Sequence, residues 1–101
     1  MKVVYHPESV QELEQAALWI ENQRSGWGFR FTNAVIASVD RLREYPEAGA
    51  LLERHVRKTT VRSFPFQVVY VYREELSEVV ILAIAHSRRR PGYWAGRLSN
   101  P

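Results

Sequence analysis

The apolar residues of the first half of the chain recur at helical spacing. A first helix is predicted to begin at Pro7, which suits the first turn of a helix, and to end near Gly26, the expected C-terminal cap. Its apolar positions are separated by three or four residues, which is typical of one buried stripe. They are Val10, Leu13, Ala17 and Ile20. The opposite side is polar and includes Glu12, Gln15 and Asn22.

A second helix is predicted from a similar stripe, and the dipeptide Tyr45-Pro46 ends it because the residue before proline avoids helical geometry. One face carries Phe31, Val35, Ser38, Leu42 and Tyr45, and Ile36 and Val39 widen it. Only a few residues separate the two helices. An antiparallel helical hairpin is therefore the simplest arrangement.

Alternating or continuous apolar runs predict strands on either side of the helices. A short β-branched run spans residues 2–5, and the period changes to two after Gly49. Residues 56–64 have mixed polarity on both faces, and Pro65 turns the chain into the aromatic run 66–72. A polar loop at 74–77 leads to residues 79–85, the most apolar run, which is expected at the centre of the sheet.

These elements predict an α+β fold: an N-terminal strand and a two-helix hairpin packed on an antiparallel sheet of about four strands. The predicted core comprises Leu13, Ala17, Ile20, Val35, Leu42, Val69, Leu82 and Ile84. The aromatic residues Trp19, Trp27, Phe29 and Phe31 are expected in the core or in an interface.

Length and composition narrow the class of protein. A chain of 101 residues predicts a single domain over 1–101, with a basic, aromatic tail from about residue 87. The absence of cysteine excludes disulfides and thiolate chemistry. No apolar run reaches the roughly 20 residues of a membrane span, and the N-terminus has no apolar signal region. We expect a cytoplasmic protein without a membrane partner.

Charge is distributed unevenly along the chain. Residues 1–50 carry five Lys/Arg and seven Asp/Glu, a net charge of −2, whereas residues 51–101 carry nine Lys/Arg and four Glu, a net charge of +5. This asymmetry suggests a polyanion or an acidic protein as partner of the second half. The alternative is a solvated strand face with a loose basic tail. The residues predicted to contact a target or partner protein are Arg57, Lys58, Arg88, Arg89, Arg90 and Trp94.

The candidate catalytic residues all lie in the basic half of the chain, residues 51–101. RNA cleavage without a metal needs a base, an acid and a cation at the phosphate, and Arg62, His86 and Tyr93 could supply these groups. Arg62 and His86 are expected at the same end of the sheet if the turn at Pro65 is tight. The alternative for each residue is a structural role. No metal site and no cofactor are predicted, because neither metal-ligand spacing nor a nucleotide-binding motif is present.

Several segments together resemble the RelE/ParE toxin superfamily, also called plasmid-stabilisation proteins. The resemblance runs from about Val3 to Trp94, and its most specific parts are Arg62-Ser63-Phe64-Pro65-Phe66 and the ending His86-x-Arg88-Arg89-x-Pro91-x-Tyr93-Trp94. It implies a cytosolic toxin that is neutralised by an antitoxin encoded beside it. It also implies that operator DNA is contacted only indirectly, through the antitoxin.

The resemblance leaves the target open between two branches. ParE-like members poison DNA gyrase, whereas RelE-like members are ribosome-dependent mRNA endonucleases with basic and aromatic catalytic residues. Arg62, His86 and Tyr93 fall near positions where RelE-like enzymes carry such residues. Lys58 is the only lysine in the basic half, however, and the hairpin and tail are closer to the ParE branch. We therefore expect a ParE-like toxin acting on gyrase, with mRNA cleavage as the alternative; a module that has kept antitoxin binding but lost toxicity is a third possibility.

Overall fold

The computed structural model describes residues 1–99, so the end of the domain predicted at residue 101 lies outside the described residues. Two helices and five strands follow one another along the chain. They are β1 (Lys2–Tyr5), α1 (Pro7–Gln23), α2 (Trp27–Glu44), β2 (Ala50–Glu53), β3 (Val56–Thr60), β4 (Phe66–Arg73) and β5 (Glu78–His86). Single 3₁₀ turns lie at Glu74–Leu76, inside the predicted hairpin loop, and at Ala95–Leu98 in the tail.

The predicted α+β fold is confirmed, with one strand more than expected. The sheet order is β1-β5-β4-β3-β2; β1 runs parallel to β5 and the other neighbours are antiparallel. Strand β2 was not predicted, because all four of its residues are exposed and leave no alternating pattern. The prediction that residues 79–85 occupy the centre is wrong by one position: β4 lies in the middle, and β5 lies between β1 and β4.

The helical hairpin is confirmed, but its turn differs from the prediction. α1 ends at Gln23 with Arg24 as its cap, so Gly26 is not the C-cap of α1. Gly26 instead precedes α2 with φ of +86°, a left-handed geometry that glycine adopts readily. The Glu21 carboxylate accepts hydrogen bonds from the backbone N–H of Gly26 (2.9 Å) and Gly28 (3.0 Å), which lowers the pKa of Glu21. The carboxylate thus caps the positive end of α2.

Glycine at position 28 lets the two helices approach closely. A Cβ atom on Gly28 would lie 2.6 Å from the backbone oxygen of Ala17 on α1, inside van der Waals contact. Any larger residue would push the helices apart. The tight crossing follows from this one small residue.

Apolar side chains cover both faces of the sheet. The face beneath the helices buries Ile20, Phe31, Val35, Val39, Leu42, Val61, Phe66, Val68, Tyr70, Val79, Ile81 and Ile84. The opposite face buries Val56, Val69, Val71, Val80, Leu82, Ala83 and Trp94. Because Trp94 belongs to the tail, the tail contributes to the second core.

The helical stripes are narrower than the sequence suggests. Six of the eight predicted core residues are buried, whereas Leu13 and Ala17 are half-buried and pack against the core. Val10, Ile36 and Tyr45 are exposed, so their assignment to the buried stripes is wrong. A helix on one sheet face buries only the residues that point directly at it. For the same reason Phe31 is buried and Trp27 half-buried, whereas Trp19 and Phe29 are exposed.

Candidate functional site

The tail is anchored where β1 stops pairing with β5. β1 ends at Tyr5, opposite Ile81, and the N–H of His6 adds one more bond to the Ile81 oxygen. Beyond this point the edge of β5 has no neighbouring strand, and side chains form hydrogen bonds with its backbone groups instead. The Glu12 carboxylate accepts from the N–H of Ile84 (3.0 Å), and the Arg97 guanidinium donates to the Leu82 oxygen (2.9 Å).

Arg97 and Glu12 also bind each other through two hydrogen bonds. Arg97 Nη1 lies 3.0 Å from Glu12 Oε1, and Nη2 lies 3.0 Å from Oε2. The Arg97 side chain is only 10% exposed, and its hydrogen bond to Glu12 raises the pKa of Arg97. The assignment of Glu12 to the polar side of α1 is therefore wrong. No local pattern marked either residue, because the pair is 85 residues apart in the chain.

Tyr93 joins the same network. Its hydroxyl donates a hydrogen bond to Glu12 Oε2 at 2.7 Å. Burial, followed by that bond to a carboxylate, strongly raises the pKa of Tyr93. The ring packs against two guanidinium groups, at 4.0 Å from Arg89 and 5.1 Å from Arg97. The alternative of a loose basic tail is therefore wrong for the segment that carries Tyr93, Trp94 and Arg97, because these residues pack against the domain. Trp94 was predicted to contact a target or partner, but it is only 5% exposed.

The structure places Arg62 and His86 at the same end of the sheet. His86 pairs with Phe66, and their rings lie 5.1 Å apart in an edge-to-face contact. The turn between β3 and β4 is tight, since the N–H of Val61 donates to the Phe66 oxygen (2.9 Å). Arg62 follows Val61 directly and is exposed, as is His86.

The two residues are nevertheless found in the lining of different cavities. His86 lines a cavity of about 360 Å³, the tail cavity, between the tail and the sheet face opposite the helices. Lys58, Arg89, Arg90 and Tyr93 line it too. Arg62 lines a cavity of about 480 Å³, the arginine groove, between α2 and the turn after β3. Among the cavities formed by residues 1–99 that we describe, none is lined by both.

The predicted contact residues divide between structural and exposed positions. Arg57 donates to the backbone oxygens of Glu47 (3.1 Å) and Gly49 (2.9 Å) and forms an ion pair with Glu47, so it holds the segment that leads into β2. Lys58, one residue later, lines the tail cavity. The three arginines 88–90 are exposed. Sequence reasoning missed two further arginines, Arg30 and Arg41, which line the arginine groove on α2.

Within residues 1–99 there is no group of three or more His, Asp or Glu side chains placed to hold a metal ion. Neither helix in this range combines the length and apolar character that a membrane crossing requires.

Comparison with known proteins identifies the family. The sequence model of the ParE toxin of type II toxin–antitoxin systems, parDE, matches residues 3–91. No curated protein matches the sequence. A chain of the chromosomal ParDE TA system from P. aeruginosa superposes with a TM-score of 0.73 at 17% identity, covering 85% of this chain and 95% of the other. The isolated E. coli RelE toxin superposes with a TM-score of 0.63 at 16% identity, covering 97% of this chain and 96% of the other.

The structural matches and the sequence-family match support different conclusions. At such low identity the two structures share the fold, and the family model carries the assignment over most of the chain. Membership implies an antitoxin partner. The chain belongs to the ParE toxin family and is a ParE-like toxin of a type II toxin–antitoxin system.

Proposed function

We propose that this toxin stops growth by acting on DNA gyrase and does not cleave RNA. The observation that carries the proposal is the separation of the candidate catalytic residues: Arg62 lines one cavity and His86 another. A general acid or base must reach its proton within about 3 Å, and a phosphate-binding cation must act on the same group. Neither cavity is lined by both residues, which favours an activity that does not depend on this chemistry.

The state of Tyr93 supports the same proposal. Its hydroxyl already donates to Glu12, and its pKa is raised, so its proton is harder to remove than that of a free tyrosine. A role in proton transfer would require this buried network to open. Gyrase poisoning, the activity that the resemblance associates with the ParE branch, places no such demand on Tyr93.

The second candidate is a RelE-like, ribosome-dependent mRNA endonuclease. The tail cavity favours it, because His86 lies there beside Lys58, Arg89 and Arg90. In that case His86 moves the proton, and the basic side chains hold the RNA backbone. The chemistry would be independent of a metal.

Purified toxin is expected to inhibit gyrase supercoiling without cutting mRNA on translating ribosomes. In cells, His86→Ala and Arg62→Ala should retain toxicity at matched expression, because neither residue would do chemistry. Replacing the exposed arginines 88–90 with glutamine should reduce toxicity instead. This triple variant is preferable to truncation before Arg88, which would also remove Arg97 and its hydrogen bonds to Glu12.

Opposite results would support the nuclease. Loss of a general acid or base typically lowers a rate by about 10²–10⁴-fold. Loss of toxicity in both point variants, with unchanged thermal unfolding, would overturn the gyrase proposal. Antitoxin binding without toxicity in the wild type would indicate a module that has lost its activity.

We also propose that the antitoxin pairs with the open edge of the sheet at β2. Leu51 and Leu52 are 56% and 42% exposed there, and an edge strand offers backbone groups to an extended segment. The complex forms in the cytoplasm, and operator DNA is contacted only through the antitoxin.

The toxin should co-purify at moderate salt with the product of the neighbouring gene. Leu51→Glu should weaken that complex about tenfold or more, which corresponds to a loss of roughly 1.4 kcal/mol or more of binding free energy. Leu76→Glu is the matched control, because Leu76 is equally exposed, at 59%, but lies in the β4–β5 hairpin turn. Equal binding by the two variants would exclude the β2 edge, and failure of the wild type to co-purify would contradict the partnership.

A further inference from the structure

The loop after β5 that carries the three exposed arginines, the basic loop (residues 87–92), is held at its start by hydrogen bonds. The N–H of Ser87 donates to the Pro65 oxygen (2.8 Å), which ties the loop to the turn between β3 and β4. The N–H of Arg89 donates to the His86 oxygen (2.9 Å), and the preceding backbone N–H donates to the His86 ring Nδ1 (3.0 Å). Two of these three acceptors are backbone oxygens, so those bonds do not depend on the His86 side chain.

The end of the basic loop is held by the residues that follow it. Gly92 has φ of +81°, a left-handed geometry that lets the chain turn between the arginines and Tyr93. The N–H of Tyr93 donates to the Arg90 oxygen (3.4 Å), and its hydroxyl donates to Glu12 on α1 (2.7 Å). Trp94 is buried against the sheet face opposite the helices. The basic loop is therefore fixed at both ends, although its three arginines are exposed.

The three arginines of the basic loop differ in how their side chains are held. Within residues 1–99 none of them forms an ion pair, and Arg89 alone of the three has its guanidinium over an aromatic ring, 4.0 Å from the centre of Tyr93. A cation at this distance is attracted by the face of the ring, which limits the orientations of a long side chain. Because Glu12 accepts the hydrogen bond of the hydroxyl on the same ring, Arg89 is connected to α1 through Tyr93.

We propose, on the basis of the proposed action on gyrase, that Tyr93 is a positioning residue of the toxic activity: it holds Arg89 in the orientation that contacts the target, and Glu12 fixes Tyr93. Immobilising a long side chain in an interface typically weakens binding about 3- to 10-fold, and a side chain that is ordered beforehand avoids that loss. Proton transfer in RNA cleavage would need the Tyr93 hydroxyl, whereas positioning of Arg89 needs the Tyr93 ring.

The test compares growth inhibition in cells at matched expression with supercoiling inhibition by purified toxin. Tyr93→Leu removes the ring and should weaken both activities about 3- to 10-fold. Tyr93→Phe keeps the ring and loses only the bond to Glu12, so its loss should stay below about threefold. Tyr45→Leu is the matched control and should keep wild-type activity, because Tyr45 is 62% exposed and lies at the C-terminal cap of α2. Thermal unfolding of each variant checks that the fold is kept.

A double substitution separates positioning from a general loss of stability. Arg89→Gln alone should weaken inhibition at least as much as Tyr93→Leu, and more than Arg88→Gln, the exposed neighbour whose guanidinium lies over no ring within residues 1–99. Because Tyr93 acts through Arg89, adding Tyr93→Leu to Arg89→Gln should cause no further loss. A purely structural role of Tyr93 would instead make the two losses multiply.

Multiplying losses in the double variant would overturn the positioning role. Equal losses in Tyr93→Phe and Tyr93→Leu would also overturn it, in favour of a role for the hydroxyl in proton transfer. A wild-type toxin that stops growth without inhibiting supercoiling would contradict the gyrase proposal alone, because the comparison in cells tests the positioning of Arg89 for any target. A wild-type chain that does not stop growth would overturn both.

Discussion

Replacing Glu12 with alanine is expected to lower the free energy of unfolding by about 3–5 kcal/mol, the range for removing one partner of a buried ion pair. The carboxylate accepts hydrogen bonds from the Ile84 backbone, the Tyr93 hydroxyl and the Arg97 guanidinium. Its loss would leave Arg97, which is only 10% exposed, to its 3.5 Å ion pair with Glu8 and its bond to the Leu82 oxygen. It would also leave the backbone N–H of Ile84 without its acceptor. Urea unfolding of the purified variants measures the effect.

A matched control lies two residues along the same helix. Glu14 is exposed and is absent from the Glu12 network, so Glu14→Ala should change stability by less than about 0.5 kcal/mol. The tail of Glu12→Ala should also become sensitive to proteolysis, with a change in the fluorescence of the buried Trp94. Equal stability of the two alanine variants would show that the network contributes little to holding the tail.

Replacing Phe31 with alanine is expected to cost about 3–5 kcal/mol, the range for removing a large aromatic side chain from a core. Phe31 is fully buried, and its ring contacts Phe64 at 5.2 Å and Phe66 at 4.7 Å. A domain of this size has a total stability of about 5–15 kcal/mol, so the variant should be marginal at 37 °C. The loss should also loosen the turn that carries Arg62.

The control for this substitution is Phe29→Ala on the same helix. Phe29 is 72% exposed, so its truncation should alter the midpoint of urea unfolding only slightly. A comparison of the two variants separates the effect of burial from that of helix propensity, because both replace phenylalanine with alanine in the first turns of α2. Similar losses in both would contradict the packing of α2 on the sheet through Phe31.

The local sequence pattern was enough to predict the two helices, four of the five strands and the protein family. Stripes at Ile20, Val35 and Leu42 and the apolar run of β5 follow from periodicity, which depends only on neighbouring residues. The segments around Arg62 and His86 led to the RelE/ParE resemblance, and the match over residues 3–91 confirmed the superfamily and its ParE-like branch.

The sequence-based predictions of buried helix residues and of strand β2 failed, because burial and pairing there depend on the position of the sheet. Ile36 and Tyr45 follow helical spacing but point away from the one sheet face available to α2, so they are exposed. Strand β2 has no buried side chain and exists because its backbone pairs with β3. Neither property is encoded in a short window of sequence.

The candidate site depended on tertiary structure most of all. Glu12 and Arg97 meet at the edge of β5 that is left unpaired because β1 ends at Tyr5. The two residues are 85 positions apart in the chain. Arg62 and His86 were correctly expected at one end of the sheet, but in the folded chain they belong to the lining of separate cavities. Periodicity reports which side of an element is apolar, whereas the meeting of polar side chains depends on how distant elements pack, and only the folded chain determines that.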